Sequence, residues 1–378
     1  RNQKGILMKK ILFPFLALML VAVTALISCS KPQRLFVGGF TGSDGEKAMT
    51  VFDFKSNGSL KMAASADVGP NPSYFCIREG SDMIYVINEV MEFRGQPGGG
   101  LSTFRYDDRK VTFMKLNEMV IPYGGPCYIS MSADRGHLLI ANYPKGSVVV
   151  VKLDEEGIPE AITDTILYVR DDPGRSHAHM ILNDPAGKYV YVTDLGLDRI
   201  VIYDFDPVEG KLHRIENGIT ALPEGSGPRH FVFNSDGSRL YIINELGSTV
   251  AVFAAGEAGG LRLLQIIGTR KGDDNKSNYC ADIHLSRDGK FLYGSNRGDN
   301  NIVTYRIGGE GLLEPAGHST CGGDWPRNFI IDPSGKFLIA GNQKSDNISV
   351  FRINAETGLP SVTVDTAVVR MPACLKFH

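Results

Sequence analysis

The strongest constraint in this sequence is a repeat of about fifty residues. An apolar run ending in a small polar residue recurs at Gly38, Asn88, Asn142, Asp194, Asn244, Asn296 and Asn342, at steps of 50, 54, 52, 50, 52 and 46. Seven such units occupy about 350 residues and leave no room for a second domain. Within a unit a first apolar strand leads to a turn: Asn183-Asp184-Pro185-Ala186-Gly187, Ser235-Asp236-Gly237, Arg287-Asp288-Gly289 or Pro333-Ser334-Gly335. A second strand follows (YVYV, LYII, FLYG, FLIA), then a short polar link, a third strand such as RIVIYDF or NISVFRI, and a looser fourth. The second strands are apolar at nearly every position, as expected of strands covered on both faces. No segment beyond the first thirty residues keeps a helical period. Four-stranded units at this spacing predict an all-β, seven-bladed β-propeller.

The two ends predict how the ring closes. The first unit begins directly at a second strand, Leu35-Phe36-Val37-Gly38, and Met371 to Phe377 reads as a first strand without a second. The C-terminal strand is therefore expected to complete the N-terminal blade, which removes open edges.

Residues 1–29 read as upstream sequence followed by an export signal. Met8 is taken as the start, Lys9 and Lys10 form a basic segment, and an apolar run extends to Ile27. It ends in Leu26-Ile27-Ser28-Cys29, which resembles a bacterial lipobox with Cys29 as the lipidated residue. Seventeen apolar residues interrupted by Pro14 are short for a membrane span. The expectation is an extracytoplasmic lipoprotein, held to the membrane by its lipid alone and sorted to the outer membrane of a Gram-negative cell, with residues 30–378 as one propeller domain. Past Cys29 there remain 36 basic against 42 acidic groups and no polybasic stripe, which argues against a nucleic-acid partner. The remaining cysteines, Cys76, Cys127, Cys280, Cys321 and Cys374, are scattered and odd in number, so no disulfide framework is expected.

In a propeller the first strand of each blade lines the channel, and its start lies at the same mouth as the end of the second strand. Counting back fifteen from each marker gives Ser73, Cys127, His179, Arg229, Ala281 and Arg327; counting one forward gives Gly39, Glu89, Tyr143, Leu195, Glu245, Arg297 and Gln343. A repeat needs only its turn and core residues to be constant. These mouth positions instead vary, and they carry a histidine, three arginines and two glutamates, as a site for a small anion would. His179 titrates near neutrality and suits an acid–base role. Arg229 and Arg297 suit a carboxylate or a developing oxyanion, and Glu245 would orient Arg229. Such a set suits lactone hydrolysis, or the reverse ring closure, with no metal or redox cofactor. Arg229 with Glu245 also reads as a plain structural ion pair. His177 and His179 have a spacing that can bind zinc but no evident third ligand, and His230 reads as facing a neighbouring blade.

The stretches Asn71-Pro72-Ser73-Tyr74, Gly125-Pro126-Cys127 with Ala141-Asn142-Tyr143, and Ser176-His177-Ala178-His179 begin an ordered series. It continues through Gly227-Pro228-Arg229-His230 with Asn244-Glu245-Leu246, Ser295-Asn296-Arg297-Gly298 and Pro326-Arg327-Asn328. In this series the chain resembles the seven-bladed lactonase family, which includes propeller-type 6-phosphogluconolactonases and carboxy-cis,cis-muconate cyclases. The resemblance implies His179, Arg229, Glu245 and Arg297 as the catalytic set. Beside them, His177, Glu89, Asn142, Tyr143, Arg327 and Gln343 are expected at the substrate. The substrate expected is a small anionic lactone or sugar acid. The alternatives are a propeller that only binds a sugar acid or glycan, and a muconate-cyclase-type lactonising enzyme.

Overall fold

The computed structural model describes residues 33–41, 45–168, 174–256, 258–272 and 276–378. The lipobox and Cys29 lie outside them. Seven four-stranded antiparallel sheets follow one another along the chain, and no α-helix occurs among the described residues. Blade 1 is the composite one. Its strands Gln33–Gly39, Met49–Phe54 and Leu60–Ala66 are joined by the C-terminal strand Pro372–Phe377, which pairs antiparallel with Gln33–Gly39. The closure expected from the two termini is therefore present.

The first strands of blades 2 to 7 are Tyr74–Ile77, Pro126–Met131, Ala178–Asn183, Pro228–Phe233, Tyr279–Leu285 and Pro326–Ile331. Together with Pro372–Phe377 they touch one another in ring order and so form the channel wall. Among the second strands, Met83–Asn88, His137–Asn142, Tyr189–Asp194 and Phe337–Asn342 are buried at every position. Their continuous apolar runs follow from this, because each sheet is covered by a neighbour on both faces. The outermost strands alternate between half-buried and exposed, as in Thr112–Ile121 and Pro360–Val368.

The longest step of the repeat, from Asn88 to Asn142, has a local cause. Between the second and third strands of blade 2 the chain inserts a small hairpin, Glu92–Phe93 with Gln96–Pro97, and buries Phe93 beneath it.

A recurring tyrosine ties each of several blades to the next. The hydroxyls of Tyr85, Tyr191, Tyr241 and Tyr293 donate to the carbonyls of Gly157, Gly259, Gly311 and Gly358, at 2.7, 2.9, 2.9 and 2.9 Å. Each tyrosine sits on a second strand, and each glycine follows the third strand of the next blade in a left-handed turn. A neutral hydrogen bond of this kind contributes about 1 kcal/mol.

Several marker residues fasten the link that arrives from the preceding blade. Asn88 Nδ2 donates to the carbonyls of Val68 and Pro70, Asn296 Nδ2 to Thr269 and Asn342 Nδ2 to Cys321. Asn142, expected at the substrate, belongs to this group: it is fully buried and its Nδ2 donates to the Pro122 carbonyl and the Ser147 hydroxyl. Its Oδ1 is buried and makes no hydrogen bond. Its amide serves the link between strands, and the next residue, Tyr143, is the one that turns toward the mouth.

Candidate active site

The side chains at the mouth are delivered by β-bulges. In blade 5 Pro228 pairs with Asn244 and His230 with Ile243, so Arg229 is an extra residue with no partner across the ladder. The same slip leaves Cys127, His179 and Arg327 unpaired in blades 3, 4 and 7, and Ala373 in blade 1. In blade 6 Ala281 and Asp282 stand against Ser295 alone. A bulge bends its strand and re-aims one side chain. Each residue found by counting back fifteen in blades 3 to 7 is therefore a bulge residue, turned out of the ladder at the channel mouth. The chain is guided into most of these strands by a left-handed residue and a proline: Asn71-Pro72, Gly125-Pro126, Gly227-Pro228, Trp325-Pro326 and Met371-Pro372. Proline is tolerated there because it opens the strand, where no ladder donor is needed. Gly227, at φ +63°, packs so closely on Leu246 that a Cβ would lie 2.6 Å from its Cγ.

One bulge residue, Arg229, meets two residues from the ends of second strands, Glu245 and Arg297. Glu245 Oε2 lies 3.0 Å from Arg229 Nε and 2.8 Å from Arg297 Nη2. The Arg229 contact is a close ion pair without hydrogen-bond alignment. Arg297 is held from behind by its Nε on the Tyr279 carbonyl (3.0 Å) and its Nη2 on the Cys280 carbonyl (3.1 Å), with its Cζ 5.4 Å from the Trp325 ring centre. Both arginines are buried. Burial disfavours the charge of each. The neighbouring guanidinium of Arg229 adds to this at Arg297, bringing it down to about 9, while Glu245 opposes the shift in both. Both remain cationic at neutral pH.

His179 stands beside this triad. Burial first, then the charges of Arg229, His230, Arg327 and Arg297, hold its pKa well below the ordinary value, so the ring is neutral near pH 7. Its edge meets Tyr143, whose other contact is His177: those two rings are stacked, 4.5 Å between centres and 8° from parallel. His177 Nδ1 lies 3.0 Å from the Tyr143 carbonyl, and its backbone N–H is anchored on Asp194. His177 is thus committed to Tyr143, whereas His179 Nδ1 is buried with no protein partner.

Arg327, Glu89 and Gln343 complete the mouth. The Arg327 Cζ lies 5.1 Å from the Phe40 ring centre. Burial raises the pKa of Glu89 against the opposing charge of Arg327. At this mouth His179 Nδ1 and Gln343 Oε1 are buried without a hydrogen bond, and Arg229 Nε meets Glu245 only as an ion pair. Buried polar groups are normally satisfied, so these atoms leave the mouth open to polar groups from a ligand or solvent. Three guanidiniums against two carboxylates make it receptive to an anion. Among the described residues no three His, Cys, Asp or Glu side chains form a metal-binding cluster.

Sequence reasoning missed a second polar cluster below the mouth. His230 reaches the neighbouring blade, where its Nδ1 lies 2.7 Å from Asp282 Oδ1, and Asp282 also meets His284, Asn328 and Phe329. The available signal was Asp282-Ile283-His284, an acidic and an imidazole side chain two residues apart on an inner strand.

The family model described as "Lactonase, 7-bladed beta-propeller" matches residues 34–377. A 6-phosphogluconolactonase of Bacillus subtilis (strain 168) is 28% identical over 350 residues, 90% of this chain and 97% of that protein. A 6-phosphogluconolactonase of Formosa agariphila is 33% identical over 313 residues, 79% of this chain and 86% of its own. Among solved structures, the periplasmic gluconolactonase of Pseudomonas aeruginosa superposes with a TM-score of 0.83 at 30% identity, covering 91% of this chain and 98% of that one. Seven closed blades and a match running from the first strand to the last lead to one conclusion: the chain belongs to the seven-bladed β-propeller lactonase family.

Proposed function

We propose that the protein hydrolyses a sugar-acid lactone at the mouth formed by His179, Arg229, Glu245 and Arg297. The observation that carries this reading is the single Glu245 oxygen between Arg229 and Arg297 with a neutral imidazole beside them. Opening a lactone needs a proton acceptor for the attacking water and a cationic cradle for the carbonyl oxygen as it becomes an oxyanion. His179 takes the water proton as the oxygen bonds to the carbonyl carbon. The oxyanion that forms faces the guanidiniums and offsets the field that depresses His179, so the imidazole becomes more basic as the proton arrives. Collapse of the tetrahedral intermediate breaks the ring C–O bond, and His179 returns the proton to the leaving alkoxide. Glu245 keeps the two arginines parallel and tempers their mutual repulsion. Tyr143, Glu89, Arg327 and Gln343 line the place of the sugar hydroxyls, and His177 acts by holding Tyr143.

The names of the relatives support a gluconolactone-type substrate. The export signal ending at Cys29 and the periplasmic relative support an extracytoplasmic setting, with the protein lipid-anchored at the outer membrane and its substrate unphosphorylated. The test is acid release from gluconolactone and phosphogluconolactone by the full chain. The expected result is turnover of gluconolactone well above buffer, abolished by His179→Ala. Binding of gluconate without any turnover would replace the hydrolase by a sugar-acid binding protein.

A further inference from the structure

Arg229 is buried in a way that fixes two of its three nitrogens. Its Nε meets Glu245, and its Nη1 donates to the Ala281 carbonyl and lies 3.4 Å from His230 Nε2. No described residue partners Nη2. Ala281 and the next residue, Asp282, form the bulge of blade 6, and Asp282 returns to Arg229 by a second route, through His230.

The chemistry of that route has one solution. Asp282 is buried and accepts from His284 Nε2 at 2.9 Å, from Asn328 Nδ2 and from the Phe329 N–H at 3.3 Å, besides facing His230 Nδ1. Burial would raise its pKa, but His284 and the hydrogen bonds from both imidazoles outweigh burial and hold it well below the usual range. An ionised carboxylate only accepts, so His230 must carry its proton on Nδ1. Burial and the charge of Arg229 push His230 down to about 4, so the ring is neutral and Nε2 keeps its lone pair. That lone pair is directed at Arg229 Nη1. The rings of Tyr74 and Tyr128 meet His230 edge-on at 6.1 and 5.4 Å and fix its plane.

We propose that Asp282 and His230 are positioning residues for Arg229: the carboxylate sets the imidazole tautomer, the imidazole holds Nη1 from behind, and Nη2 is thereby presented to the oxyanion formed from the lactone and to the product carboxylate. This rests on the reading of Arg229 as an anion-binding group.

The test is a double-mutant cycle on the full chain. It is read by gluconolactone hydrolysis and by gluconate titration of the fluorescence of Trp325, the single tryptophan, which lies against Arg297. His230→Phe keeps a planar ring against Tyr74 and Tyr128 but accepts nothing from Nη1. It is expected to lower kcat/KM and gluconate affinity about tenfold, the size of one lost buried hydrogen bond. In an Arg229→Ala background the same change is expected to cost less than about twofold. His230→Gln, whose amide reaches the place of Nε2, is expected to restore most of the loss. If His230→Phe does not fold, Asp282→Asn, which no longer dictates the tautomer, enters the cycle with the same expected non-additivity. Equal losses in both backgrounds, or no loss in either, overturn the proposal. Coupled losses of gluconate affinity without lactone turnover uphold it and remove the hydrolase reading. Turnover with additive losses does the reverse.

Discussion

Arg229 and Arg297 share one oxygen of Glu245, at 3.0 and 2.8 Å, although they come from different blades and are 68 positions apart in the chain. Two like charges are normally kept apart, and here burial removes much of the water that would screen them. Glu245 is what makes their proximity tolerable, and an incoming anion completes the compensation.

Glu245→Gln keeps the shape of this bridge and removes its charge. The expected result is a loss of about a hundredfold in kcat/KM, in the range seen when one element of a preorganised charge cradle is removed. Arg229→Lys is expected to do no better, because an ammonium cannot engage Ala281 and Glu245 at once while facing substrate. Steady-state kinetics on gluconolactone check both; a Glu245→Gln variant within about threefold of wild type, or about 0.65 kcal/mol, would remove Glu245 from the mechanism.

The depressed pKa of His179 predicts the acid side of the pH profile. A neutral base that resists protonation stays active below the ordinary histidine range, so kcat/KM is expected to hold through pH 6 and fall only at lower pH. An acid limb centred at or above 6.5 would show that another group is the base.

His230 makes the same sign of prediction for stability. Its folded pKa of about 4 lies below its ordinary 6.5, so between these values the unfolded chain binds the extra proton. Stability is therefore complete above pH 6.5 and declines as pH falls to 4, by about 3 kcal/mol from this residue. Denaturant midpoints across that window measure it. His230→Gln should flatten the slope, and an unchanged slope would place the titration elsewhere.

The tyrosine ties predict stability effects without kinetic ones. Tyr293→Phe removes the donor to the Gly358 carbonyl and should cost about 1–2 kcal/mol. Gluconolactone kinetics should be unchanged, since the tie lies away from the mouth. A fall in kcat/KM beyond about twofold would mean that blade packing reaches the site.

The ring of seven blades, its closure and the residues at its mouth were legible from a single chain because each depends on something periodic. Alternating strands and turns recur every fifty residues, and a propeller converts equal distances along the chain into equal places around a ring. The side chains of the proposed site were visible as departures from the repeat: His179, Arg229, Glu245 and Arg297 stand where it asks for nothing. The same counting cannot separate an amide that ties down a link, as that of Asn142 does, from a side chain one position later that faces the channel. The bulges could not be read at all, since one extra residue leaves an apolar run unchanged while it alters which way Arg229 points. Nor could the contact of His230 with Asp282, 52 residues away in the next blade, because no local pattern encodes a meeting that exists only once the ring is closed. Periodicity in the chain carries architecture, while the directions of individual side chains and the charges they meet depend on register slips and ring closure that only folding brings about.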